Sequence, residues 1–150
     1  MMRVRTVLHM GLLATLLGLS ACSSSPMAAS SAVSLTGKLS GASEVPANTS
    51  AGSGPVSAKF DKATNVLSWN VSYTGLSGPA KAAHFHGPAL AGANAGVVVP
   101  LTGSLDSPIN GSATLTSAQA ADLLAGKWYL NVHTAANPGG EIRAQVVAQP

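Results

Sequence analysis

Two histidines one residue apart, His84-Phe85-His86, and a third at His133 are the residues whose types and spacing could do chemistry in this chain. On a β-strand alternate side chains share a face, about 6 to 7 Å apart. His84 and His86 would then project together while Phe85 packs on the opposite side. His133 ends a second alternating stretch that carries Tyr129 and Asn131 on its own face. If the two strands are neighbours, three imidazoles converge on one ion. Such a set suits Cu(II) or Zn(II) and leaves a position for water or a fourth group. The alternative is that the histidines donate structural hydrogen bonds inside a compact loop system, with Gly87-Pro88 forcing the turn. No Met-rich or Cys set accompanies them, which argues against a Cu(I) site.

Other polar residues divide less cleanly. Glu141 and Arg143 are two apart and would share a strand face. They could hydrogen-bond an imidazole and hold its tautomer, as outer partners of metal ligands do, or form a cross-strand ion pair on a solvated face. Glu44, in Glu44-Val45-Pro46, reads as a loop anchor or a ligand. Trp69 and Trp128 occupy apolar positions and read as core. Asp61, Asp106 and Asp122 are scattered, no Ser/His/Asp set can be nominated, and no carboxylate spacing proposes a glycosidase pair.

Strands must position these groups. Val33 to Ser40 alternates, Ser43 to Pro55 reads as a long loop, and Val56 to Phe60 is a short strand. Leu67, Trp69, Val71 and Tyr73 alternate with Ser68, Asn70, Ser72 and Thr74, the cleanest period of two in the chain. Further strands are expected at Lys81 to His86, Val97 to Leu101, Gly111 to Leu115, Trp128 to Thr134 and Glu141 to Val147. The last two flank Asn137-Pro138-Gly139-Gly140 and read as a hairpin. One helix is expected, capped by Thr116, with Gln119 at the capping-box position and Gly126 closing it. Short strands with one small helix imply an all-β antiparallel sandwich, immunoglobulin-like or copper–zinc superoxide dismutase-like.

Ahead of the strands lies a targeting segment. Arg3 and Arg5, the apolar Gly11 to Leu19, and Leu19-Ser20-Ala21-Cys22 resemble a bacterial lipoprotein signal peptide over residues 1–22, acylated at Cys22. Residues 23–31 then form a Ser/Ala-rich flexible tether, and 32–150 the domain. A lipid anchor places the domain in the cell envelope, on the periplasmic side or surface of the outer membrane. Cys22 is the sole cysteine, so no disulfide is available to the domain. With the leader removed, six basic side chains face five acidic ones, a net of +1 without any basic cluster. Nucleic acid is thereby excluded as a partner.

Several separated blocks resemble the CHRD domain, named for chordin and found widely in bacterial secreted proteins. They are Leu39-Ser-Gly-Ala-Ser-Glu44-Val45-Pro46, Tyr73-Thr-Gly-Leu76 and Ala83-His84-Phe85-His86-Gly87-Pro88-Ala89. Next come Leu124-Ala-Gly126-Lys-Trp-Tyr129-Leu-Asn131-Val132-His133-Thr134 and Asn137-Pro138-Gly139-Gly140-Glu141-Ile142-Arg143-Ala144-Gln145. Departures are small: Phe85 where the family often has Ile, and Ala47 and Ala144 where it often has Pro and Gly. The resemblance implies an all-β sandwich and says little about biochemistry. The H-x-H strand is also locally similar to the copper-ligand strand of copper–zinc superoxide dismutase, but the bridging histidine and zinc-site aspartates are lacking. Three readings follow: a non-catalytic, lipid-anchored binding domain with a copper or zinc site, an adhesive or structural envelope module binding protein or polysaccharide, and a copper redox enzyme.

Overall fold

The computed structural model describes residues 31–150; the leader at 1–22 with its Cys22, and all but the last residue of the tether, lie outside the described residues. Eight strands follow: β1 (Ala32–Ser40), β2 (Ser53–Asp61), β3 (Val66–Val71), β4 (Ala80–His86), β5 (Val97–Pro100), β6 (Ile109–Thr114), β7 (Trp128–Thr134) and β8 (Ile142–Ala148). The helix α1 (Ser117–Leu124) sits between β6 and β7. Thr116 and Gln119 cap it reciprocally, with Thr116 N–H donating to Gln119 Oε1 at 2.9 Å and Gln119 N–H to Thr116 Oγ1 at 3.2 Å.

The strands make one antiparallel sheet in the order β5-β4-β7-β8-β1-β2-β3-β6. It folds over on itself like a sandwich. Trp69 on β3 meets Phe85 on β4 edge to face at 5.3 Å, although four strands separate them in the sheet. The enclosed core holds Leu35, Leu39, Val56, Phe60, Leu67, Val71, Trp128, Leu130, Val132, Ile142 and Val146. Each comes from the apolar half of an alternating strand, so burial of one face sets the register of every strand. After visiting β5 and β6 the chain returns to lay β7 beside β4, the long connection typical of Greek keys. That return brings the two histidine-bearing strands together.

The expected strands are present with shifted ends, and the long loop ends three residues early. β2 begins at Ser53 and runs through Pro55. A proline in a central strand normally breaks a ladder. Here its missing N–H faces the gap between Val71, where β3 ends, and the isolated Ser53–Thr74 bridge. Only its carbonyl is used, accepting from Ser72 N–H at 3.1 Å. Residues 72–74 therefore leave the strand that alternation alone extends to Thr74.

Candidate metal centre

β4, β7 and β8 are neighbours, and their register decides what meets on the face opposite the core. His84 pairs with Asn131 and Asn131 with Arg143; His86 pairs with Tyr129 and Tyr129 with Gln145. His133 pairs with Ala82, one step further along. His84 and His133 are thus diagonal neighbours across two strands, and His84 and His86 are successive residues of one face. The ligating nitrogens of the three rings all lie within 4.8 Å of one another. His84 Nδ1 and His133 Nε2 are 3.2 Å apart. Two nitrogens at 2.0–2.1 Å from one Zn(II) would be separated by about 2.9 Å at a right angle and about 3.4 Å at the tetrahedral angle. The spacing of this pair fits two nitrogens of one ion.

Main-chain carbonyls fix two of the tautomers. His86 Nδ1–H donates to Ala95 O at 3.0 Å, and His133 Nδ1–H donates to Pro138 O at 2.9 Å. A ring held this way turns Nε2 towards the centre, the usual outer arrangement of a metal-binding histidine. His86 Nε2 is buried and has no partner. Such an orphan is costly in a dry interior unless something arrives to meet it. Asn131, 3 % exposed, lies beneath the cluster with its Oδ1 2.9 Å from His133 Nε2, a contact that becomes a hydrogen bond when the amide turns its N–H to the ring, since Nδ1 carries the ring proton.

The rings are also electrically prepared. Burial, then the neighbouring His133 and His86, hold His84 below the ordinary imidazole range. Burial lowers His86 as well, against the raising effect of the Ala95 carbonyl and the nearby Asn131 amide, with His133 and Arg143 adding to the depression. Both are neutral near pH 7, the state a metal requires.

Tyr129 and Arg143 back the site. The Tyr129 ring stacks on His86 at 4.7 Å and 2° from parallel, and the Arg143 guanidinium lies 3.4 Å from the Tyr129 ring centre. Arg143 also donates to Asn94 Oδ1 at 2.9 Å and Ala93 O at 2.7 Å, pinning the loop that supplies the Ala95 carbonyl. Arg143 hydrogen-bonds no imidazole; it acts through Tyr129 and this loop.

Glu141 is likewise not a hydrogen-bond partner of a histidine, nor of Arg143 in an ion pair. Just before β8 and wholly buried, it accepts from Ser50 Oγ (2.8 Å), Ser77 N–H (2.7 Å), Ser77 Oγ (2.6 Å) and Thr134 Oγ1. Serine and threonine hydroxyls outcompete the imidazoles because Ser77 and Thr134 sit beside it at the sheet end. It clasps the loop carrying Pro138 and so reaches His133 through backbone only. Glu44 resolves as a buried loop residue, 7 % exposed, outside the three-nitrogen cluster, with Oε1 unpartnered. A Cβ at Gly140 would lie 2.5 Å from Glu44 Oε1 and 2.8 Å from Asn131 Nδ2, and φ there is +129°; only glycine lets these groups approach. Trp69 and Trp128 are core, as alternation implies.

Sequence reasoning placed Asn131 and Tyr129 on the face of His133 without giving them a role, and passed over the Ala95 and Pro138 carbonyls. The first two were signalled by their spacing of two and four from His133. The carbonyls belong to no side chain and leave no mark in a sequence.

Fold and site together define an all-antiparallel β-domain with a histidine cluster on the outer face of its sheet. The chain belongs to the CHRD domain family, whose model matches residues 35–146. No curated protein and no solved structure matches it.

Proposed function

We propose that this protein is a lipid-anchored, extracytoplasmic CHRD-domain protein that binds one Cu(II) or Zn(II) through His84, His86 and His133, without catalysing a reaction. One observation carries the reading: three imidazole nitrogens lie within 4.8 Å of one another while backbone carbonyls take the outward Nδ1–H of two. The nitrogen-only donor set favours these two ions over hard or thiophilic ones. Cu(II) electron paramagnetic resonance tests it, because imidazole ligands give nitrogen hyperfine structure. A wild-type signal without nitrogen coupling, or a triple alanine variant binding as tightly, sinks the site. The anchor is tested separately: Cys22→Ser should abolish labelling by radioactive palmitate and free the protein from membranes.

A second reading has its own support. A cavity of about 360 Å³ is lined by Asn48, Thr49, Ser50, Ser77 and Asn137 around Glu141. Hydroxyls and amides of this kind suit sugar hydroxyl groups, which favours an envelope polysaccharide as partner and leaves the histidines structural. Retention of metal-free protein on a polysaccharide matrix, lost on Asn137→Ala, would bring this reading to the front.

A further inference from the structure

The three imidazoles are held unequally. His86 is clamped twice, by the Ala95 carbonyl and by the stacked Tyr129 ring, and is 9 % exposed. His133 is held at both nitrogens, Nδ1 by Pro138 O and Nε2 against Asn131. His84 has neither kind of restraint. Its Nδ1 faces His133 Nε2, and its Nε2 makes no hydrogen bond among the described residues. Its ring touches the other two only edgewise, at 5.5 Å and 86° from His86 and at 5.0 Å and 64° from His133. Across on β5 its neighbour is the exposed Pro100, which has no N–H to offer. The ring is half-buried, and its χ rotation breaks only the contact that a metal would replace.

We propose that ions enter and leave this site through His84, with His86 and His133 forming a fixed pair that holds the ion during exchange. The inference rests on the metal reading above and adds a direction and a role to it. In the exchange step the bond from the ion to His84 Nδ1 breaks as a bond forms to a nitrogen or oxygen donor of the acceptor. His84 Nδ1 takes a proton from solvent as Nε2 returns one, so the ring ends neutral, and no electron moves. The acceptor is a molecule with its own imidazole or carboxylate ligands. A site with one exchangeable ligand among three delivers its ion to such an acceptor faster than one with all three fixed.

The test uses the full-length chain, Cu(II) as the ion and EDTA as the acceptor. Each histidine is replaced in turn by alanine; affinity and the rate of removal by EDTA are measured, and circular dichroism checks folding. His86→Ala and His133→Ala should each weaken binding by at least about 100-fold, the upper end of what losing an outer partner of a metal ligand costs. His84→Ala should weaken it by only about tenfold, the lower end of that range, while removal by EDTA becomes faster, because the position His84 vacates is open to the acceptor. A second measurement needs no variant: in metal-free protein diethyl pyrocarbonate should acylate His84 well before the other two rings, and the ion should protect it, because coordination at Nδ1 leaves the ring proton on Nε2. Equal losses in all three variants, or equal acylation of the three histidines in metal-free protein, overturn the inference and leave the metal site standing. A wild-type protein that binds no Cu(II) overturns both.

Discussion

Glu141 and Glu44 are both buried carboxyls near the start of β8, and their surroundings treat them in opposite ways. Burial pushes Glu141 up, but hydrogen bonds from Ser77, Thr134 and Ser50 outweigh it and bring the group down to about 2. At Glu44 burial wins: the Arg143 charge, the Val45 backbone and Asn131 offset only part of it, and the group rises to about 7. One carboxylate is fully met and belongs to the scaffold. The other lies beside Asn131, above the layer that also leaves His86 Nε2 unmet. Saturated polar clusters hold structure, whereas unsaturated ones mark where something else can bind.

The strongest way to break this comparison is Glu141→Leu. It strands the Ser50, Ser77 and Thr134 donors in a buried place, and should cost roughly 3–5 kcal/mol by urea denaturation, as for other broken buried networks. A loss under about 1 kcal/mol would return Glu141 to the status of an ordinary loop residue.

Acid–base behaviour sharpens it next. Glu141 takes up its proton more readily unfolded than folded, so its contribution is present above pH 4.5 and lost as pH falls towards 2. Glu44 runs the other way: folded protein holds the proton more tightly, so its ionisation erodes stability as pH rises from 4.5 to 7. Glu44→Gln should therefore be more stable than wild type at pH 8, by on the order of 3 kcal/mol at most, with the difference vanishing below pH 4.5. A difference that is flat with pH would show that Glu44 is not buried as a carboxylic acid.

How much of this was legible in the sequence depends on the kind of contact. The shared face of His84 and His86 follows from strand alternation and needs no partner. Their meeting with His133 does not, because chain order alone cannot say that β7 returns beside β4. The Glu141–Arg143 spacing implies a shared strand face, but Glu141 lies just before β8, and the hydroxyls of Ser50 and Ser77 that meet it arrive from loops distant in sequence. Pro55 looked like a strand breaker because its missing N–H is visible in the sequence, while the gap in β3 that accommodates it is not.

Metal addition probes the unsaturated side directly. Cu(II) or Zn(II) at a hundredfold excess over Kd should stabilise the protein by about 2.7 kcal/mol, read as a rise in Tm. The gain should disappear with alanine at His84, His86 and His133. It should also weaken below roughly pH 6, as the imidazoles take up protons, and a gain that persists at pH 4 would point to other ligands. The smallest effect is expected for Tyr129→Phe. It loses only the phenol hydrogen bonds to Ala95, both at 3.2 Å, and keeps the stack on His86. The cost should be about 0.5–1.5 kcal/mol in unfolding free energy, with metal affinity nearly unchanged.

The register of β1 has a consequence for orientation in the cell. Ser40 pairs with Arg143, which pairs with Asn131, which pairs with His84, so the histidines stand level with the last residue of β1. Ala32 is eight strand steps earlier, about 26 Å away at the usual rise. Were the chain acylated at Cys22 as proposed, the imidazoles would stand at the end of β1 away from Ala32, where the described domain begins, and free to meet whatever diffuses past.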